Sequence, residues 1–302
     1  MIMDGKQVAQ RYKNALAEEV ADSMLDGFKP CLAVVSVGAD SASEVYVRSK
    51  QKACEVAGVL FTHKILESGC TQKELVDTIE SLNQSQEVTG IILQLPIPKH
   101  LDAKYAIEHI LPEKDVDGLT SVNAGRALNN IRPHYLPCTP MGIIKLMAAY
   151  KIRNLAGKHA VIVGRSQLVG KPLINLLLDM DATVTVCHSK TSDLAQYTRQ
   201  ADVLICAVGK PRLITADMVK PGAVVIDVGI NRVNGKLCGD VDFENVQNIA
   251  SLITPVPGGV GQMTVASLLD NVVISSIYSD KINKKKYYHP DKSLFELAGC
   301  SS

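Results

Sequence analysis

The sequence predicts an α/β protein of two domains, each built around a parallel sheet. Three observations predict it. Strand-like and helix-like segments alternate in two separate series, a polar, turn-rich stretch divides the series, and 302 residues suffice for two cores of ordinary size. With no Trp and only 4 Phe, those cores must be built from Val, Ile, Leu and Ala.

The first series runs CLAVVSVG, SASEVYVRSKQKACEVAG, LFTHKIL, TQKELVDTIESLNQ and GIILQLPIP, a βαβαβ unit with parallel strands. TSVNAGRALNNIRPHYLPCTPMG follows and reads as the interdomain connection. It leads into the helix MGIIKLMAAY, with Thr139 as N-cap and Pro140 in the first turn. The second series is more regular: HAVIVG, a helix from about Lys171, ATVTVC, a helix through Tyr197, ADVLICAVG and GAVVIDVG. After ITPVPGGVG, the apolar helix QMTVASLLDNVVISSIY leads back toward the first domain. The domains are therefore expected at 1–119 and 120–274, with 275–302 packing back on the first. KINKKKYYHPDK reads as a solvated linker.

Composition excludes several classes. With 32 basic and 31 acidic residues, no net field favours nucleic acid or an anionic membrane as partner. MIMDGKQVAQRYKNAL lacks the pattern of a signal peptide, and no apolar run approaches the roughly 20 residues of a membrane span, so a cytoplasmic protein is expected. The eight cysteines (Cys31, Cys54, Cys70, Cys138, Cys187, Cys206, Cys238 and Cys300) form no C-x-x-C pair. Buried, reduced thiols are expected, with neither a metal site nor disulfides.

VIVGRSQLVGKP has the layout of a strand, a glycine turn and a helix start, which can hold a phosphate on backbone amides. Gly164, Arg165 and Ser166 are placed for this, Arg165 adding a guanidinium. Ser166 stands where the usual dinucleotide fingerprint has its second glycine, so the site is Rossmann-like but nonstandard. The next strand ends Cys187-His188-Ser189-Lys190-Thr191, with no carboxylate to repel a 2′-phosphate, which favours NADP over NAD. The turns at Val208-Gly209 and Gly229-Ile230 fall at the same carboxyl edge and complete the candidate cofactor site.

On the first domain, Tyr46 and Lys50 lie one helical turn apart and can act on one ligand. Gln94 stands beside Leu95-Pro96 at the end of its strand, where it can reach a ligand. Asp115 and Asp117 share a loop closed by Gly118; a carboxylate there can grip a heterocycle with adjacent N–H donors, while either can be a turn former, Asp115 the more so.

YVRSK, QLPIP, KDVDG, PCTP, VGRSQLVGKP and PVPGGVG, in this order over nearly the whole chain, resemble the bifunctional methylenetetrahydrofolate dehydrogenase/methenyltetrahydrofolate cyclohydrolases. The resemblance implies NADP-dependent oxidation of 5,10-methylenetetrahydrofolate, then hydrolysis to 10-formyltetrahydrofolate, in a cleft between the domains. It implies one-carbon metabolism serving purine biosynthesis, and a homodimer. By that similarity Tyr46 stacks on the folate, Lys50 is the catalytic lysine, Gln94 orients it and Asp117 holds the pterin. Leu95 and Pro255 border the substrate, and Gly258 and Gly259 form a loop closing over the ligands, next to Thr254.

Two rivals remain beside it. Tyr46-x-x-x-Lys50 also looks like the catalytic pair of short-chain dehydrogenases, but there the glycine loop precedes the pair and here it follows. An inactive nucleotide-sensing scaffold would have no use for Lys50, Gln94 and Asp117 together. The chain also lacks a G-x-x-x-x-G-K-[ST] loop, so no fused formyltetrahydrofolate ligase is expected.

Overall fold

The structure, a computed structural model, describes residues 1–25, 29–38, 41–131 and 135–281. The lysine-rich segment beyond 281, with the remainder of the 275–302 tail and Cys300, lies outside the described residues. The chain divides into two compact units, one of Arg11–Cys138 with the chain from Val265, the other of Met1–Gln10 with Thr139–Thr264.

In the first unit, α1 (Gly5–Leu25) precedes β1 (Cys31–Val37), α2 (Ser41–Ala57), β2 (Leu60–Leu66), α3 (Gln72–Gln84) and β3 (Gly90–Leu93). The three strands form a parallel sheet in the order β2-β1-β3. Alternation along β1 sends residues to two cores. Leu32 and Val34, with Ile92, pack on α1, α2 and Leu268, Leu269, Val272 and Val273 of the C-terminal helix. Cys31, Ala33 and Val35, with Ile91 and Leu93, pack on Leu75, Ile79 and Leu82 of α3. Covered on both faces, β1 is buried throughout, whereas β2 is an edge strand with exposed residues.

Thr71 and Glu74 form a capping box at the start of α3: Glu74 N–H donates to Thr71 Oγ1 (3.2 Å) and Thr71 N–H to Glu74 Oε2 (2.7 Å). Two short helices follow, α4 (Ala103–Glu108) and α5 (Ser121–Leu128). The stretch read as plain connection thus contains a helix. Thr120 caps it, accepting from Asn123 N–H at 3.3 Å.

The chain passes into the second unit through α6 (Cys138–Ala149). Thr139 lies inside this helix rather than capping it, and its hydroxyl hydrogen-bonds Thr264 Oγ1 at 3.1 Å. Pro140, without an N–H, removes one of the donors that a cap would satisfy. Next come β4 (His159–Val163), α7 (Gly170–Leu178), β5 (Thr183–Cys187), α8 (Leu194–Thr198), β6 (Val203–Cys206) and β7 (Val224–Asp227). The hairpin of β8 (Asn231–Val233) and β9 (Lys236–Cys238), α9 (Phe243–Val246), β10 (Leu252–Ile253) and α10 (Val260–Lys281) complete the described residues.

The main sheet is parallel with order β10-β7-β6-β4-β5. Strand order therefore reverses between β4 and β6, the switch point beside which ligands of open α/β sheets bind. Residues 1–3 dock on β10: Met3 N–H donates to Ile253 O (2.8 Å) and Ile253 N–H to Met1 O (3.1 Å).

Cys31, Cys54, Cys70, Cys138, Cys187 and Cys206 are free and buried, and Cys238 is partly so. Among the described residues no helix is long and apolar enough to cross a membrane.

Candidate functional site

The candidate site of the first unit is assembled on α2, the end of β3 and the loop before α5. Tyr46 is half exposed, one turn from Lys50. Lys50 Nζ donates to Gln94 Oε1 at 2.8 Å. Gln94 is nearly buried; its backbone N–H extends the sheet ladder to Val35 O (2.8 Å), and its side-chain amide donates to Leu95 O (2.7 Å). Lysine can only donate and a carbonyl can only accept, so these two neighbours dictate the amide's orientation. The Leu95–Pro96 peptide is cis.

Burial holds the Lys50 ammonium below the ordinary lysine range, and the charge of Asp117 opposes that shift. Asp115 takes the structural role. Fully buried, its carboxylate accepts from Leu119 N–H (3.1 Å), Thr120 N–H (2.9 Å), Thr120 Oγ1 (2.8 Å) and Asn123 Nδ2 (2.9 Å). This fixes the loop and leaves Asp117 as the carboxylate acting on Lys50.

Sequence reading missed two neighbours. The Cys138 thiol donates to Val116 O at 3.4 Å; burial, then the Asp117 charge, push its pKa well above the thiol range. It stays a protonated donor. Asn271 Nδ2 donates to Val116 O (2.8 Å) and Leu136 O (3.1 Å), bracing the same loop. PCTP marked the position of Cys138 without revealing its chemistry; nothing local marked Asn271.

In the second unit the candidate cofactor residues all follow carboxyl ends of parallel strands: Gly164, Arg165 and Ser166 after β4, His188 and Ser189 after β5, Val208 and Gly209 after β6, and Ile230 after β7; the candidate substrate residues Pro255, Gly258 and Gly259 follow β10. Gly164 has φ +129°, and a side chain there would collide with Ala207 O; one at Gly170 would collide with Gly164 O. The loops after β4 and β6 thus meet at a distance only glycine permits, leaving bare backbone at the switch point, as a dinucleotide diphosphate requires. The residues present fit such a cofactor.

Individual roles differ in detail. Ser166 Oγ accepts from Val169 N–H at 3.1 Å, so this hydroxyl braces the start of α7. Arg165 and Ser189 are exposed. His188 Nδ1 accepts from Lys190 N–H (3.1 Å) and His188 N–H donates to Thr191 Oγ1 (2.9 Å), closing a turn that carries no carboxylate. The amides of Val208 and Gly209 donate inward to Asp240 Oδ2 (2.7 and 3.0 Å), so this side of the turn is taken up within the unit. Half-exposed Ile230 lies beside Gly261 at the start of α10. Gly258 O accepts from Lys6 N–H at 3.0 Å, and the Val256–Pro257 peptide is cis. Thr254 is buried, its hydroxyl bonded to Asp227 N–H (2.7 Å), so it supports the loop from below.

Comparison with known proteins agrees with this arrangement. The family model "Tetrahydrofolate dehydrogenase/cyclohydrolase, catalytic domain" matches residues 3–117, and "Tetrahydrofolate dehydrogenase/cyclohydrolase, NAD(P)-binding domain" matches residues 137–279. The bifunctional protein FolD of Campylobacter hominis is 51% identical over 276 residues, 91% of this chain and 96% of that protein. The crystal structure of the bifunctional FolD dehydrogenase/cyclohydrolase from Campylobacter jejuni superposes with TM-score 0.90 at 47% identity, covering 92% of this chain and 99% of that one. The Trypanosoma brucei methylenetetrahydrofolate dehydrogenase-cyclohydrolase, solved with NADP cofactor and inhibitor, gives 0.88 at 37% identity, over 92% and 98%. Two matched domains in the expected order, on a fold whose glycine loops meet at the sheet's switch point, make this chain a member of the tetrahydrofolate dehydrogenase/cyclohydrolase family.

Proposed function

We infer that the chain is a bifunctional enzyme that oxidises 5,10-methylenetetrahydrofolate with NADP and hydrolyses the methenyl product to 10-formyltetrahydrofolate. The observation that carries this reading is the half-buried lysine joined to Gln94 and facing the charge of Asp117, in a family of that double activity. When bound, NADP accepts the hydride. Arg165 and Ser189 would hold its 2′-phosphate, Gly164 and Ser166 would line the diphosphate, and His188, Val208, Gly209 and Ile230 would border the rest.

The first step needs little from Lys50. Hydride leaves a carbon flanked by two nitrogens, whose lone pairs stabilise the cation, so orientation by Tyr46, Leu95 and Asp117 supplies most of the help. The second step needs proton transfer. Water adds to the methenyl carbon, its proton passes to a base, and the carbon–nitrogen bond breaks as that nitrogen is protonated. An amine whose pKa is lowered by burial and whose position is fixed by Gln94 suits both transfers. Pro255, Gly258 and Gly259 would border the substrate from their loop.

We further read the enzyme as a cytoplasmic homodimer. Buried, reduced cysteines fit a reducing compartment. Val45 and Val56 of α2 and Leu60 and Ile65 of edge strand β2 are exposed apolar residues of the kind that subunit contacts cover. Sedimentation of wild type and Ile65→Asp tests the second point: a dimer that the substitution splits is the expected result.

The direct test of function is a spectrophotometric assay with methylenetetrahydrofolate. With NADP, the enzyme forms NADPH and methenyl product, and it hydrolyses added methenyltetrahydrofolate; NAD supports a slower oxidation. Alcohol oxidation without folate turnover would favour short-chain-dehydrogenase chemistry instead.

A further inference from the structure

The loops of the second unit rest on two buried carboxylates that the chemistry above leaves unused. Asp240 is completely buried, and both its oxygens are engaged by one turn: Oδ2 accepts from Val208 N–H (2.7 Å) and Gly209 N–H (3.0 Å), Oδ1 from Lys210 N–H (2.8 Å). Asn231 Nδ2 adds a fourth donor at 2.9 Å. Successive amides pointing into one hollow form an anion site, and here the chain supplies the anion itself.

Asp240 is held in turn by Asp227. Asp227 Oδ1 accepts from Asp240 N–H (2.9 Å) and Gly229 N–H (3.0 Å), and Oδ2 from Val241 N–H (2.9 Å). Side chains at Gly229 and Gly239 would collide with the carboxylates of Asp240 and Asp227, so the surrounding backbone closes on both groups as far as it can. With Thr254 holding Asp227 N–H, the ends of β6, β7 and β10 are linked through two carboxylates.

We propose that Asp240 is the positioning residue of the cofactor turn, its carboxylate setting where Val208 and Gly209 meet NADP. The proposal rests on the reading above that this turn borders the cofactor. Asp240 touches no ligand itself; it acts through the turn.

The test is the KM for NADP of Asp240→Asn and Asn231→Ala in the full chain, beside cyclohydrolase activity on added methenyltetrahydrofolate. An asparagine keeps one acceptor and turns an NH₂ toward a backbone N–H. The expected rise in NADP KM is about tenfold, as for loss of one charge-assisted hydrogen bond. Dehydrogenase kcat at saturating NADP and cyclohydrolase activity stay within about twofold, whereas general destabilisation would lower both without moving KM. Asn231→Ala withdraws one donor and leaves the three amides, so it shows a smaller rise in the same direction and carries the test if Asp240→Asn does not fold. Gly209→Ala, whose φ of +65° disfavours a side chain, tests the underlying reading. If Gly209→Ala raises the KM while the other two do not, the role of Asp240 is overturned and the cofactor reading stands. If none of the three moves it, the reading of the turn fails and the proposal falls with it.

Discussion

Lys50 is the residue to which the proposed function gives the proton transfers, and its surroundings act in opposition. Burial favours the neutral amine, while the Asp117 carboxylate favours the ammonium and raises the pKa part of the way back. Asp117→Asn removes the opposing charge, so the Lys50 pKa falls further and the neutral amine is present at lower pH. The limb of the cyclohydrolase pH profile that reports Lys50 should therefore move to the acid side, measured on methenyltetrahydrofolate at saturation; a limb that moves to the alkaline side contradicts this coupling. Much of this site was legible in the sequence, because Tyr46 and Lys50 share a helix face and Gln94 ends a strand at a proline. Cys138, Asn271 and Asp240 were not. They act through contacts such as Asn271 to Val116 and Asp240 to Val208, at separations of 155 and 32 residues, where no local pattern registers them.

Among elements, legibility followed burial on both faces. β1, β3, β4 and β6 are continuous apolar runs because helices cover both sides of each sheet, and such runs are conspicuous. α5 was hidden because SVNAGRAL places Asn and Gly inside a short helix, leaving Thr120 as its main signal. The docking of residues 1–3 on β10 pairs the two ends of a 250-residue separation and has no local signature at all. The most plainly written boundary is the Thr71–Glu74 capping box of α3. Thr71→Ala should cost about 1 kcal/mol, lowering the melting midpoint by about 2–4 °C, with no loss of activity per folded enzyme. A calorimetric scan checks it; an unchanged midpoint would mean the box adds nothing to the folded state.

Across the whole molecule, the two units carry different groups. The sheet β2-β1-β3 and its loops carry Tyr46, Lys50, Gln94 and Asp117, while the sheet β10-β7-β6-β4-β5 presents the bare glycine backbone suited to a dinucleotide. The family match adds the pair of reactions, and the proposed role of Lys50, held by Gln94, is in the proton transfers of the second. The most direct test measures both activities of Lys50→Met in one preparation. Cyclohydrolase activity is expected to fall far more than hydride transfer, because only hydrolysis needs the amine to carry protons. Equal fractional losses in the two assays would contradict it.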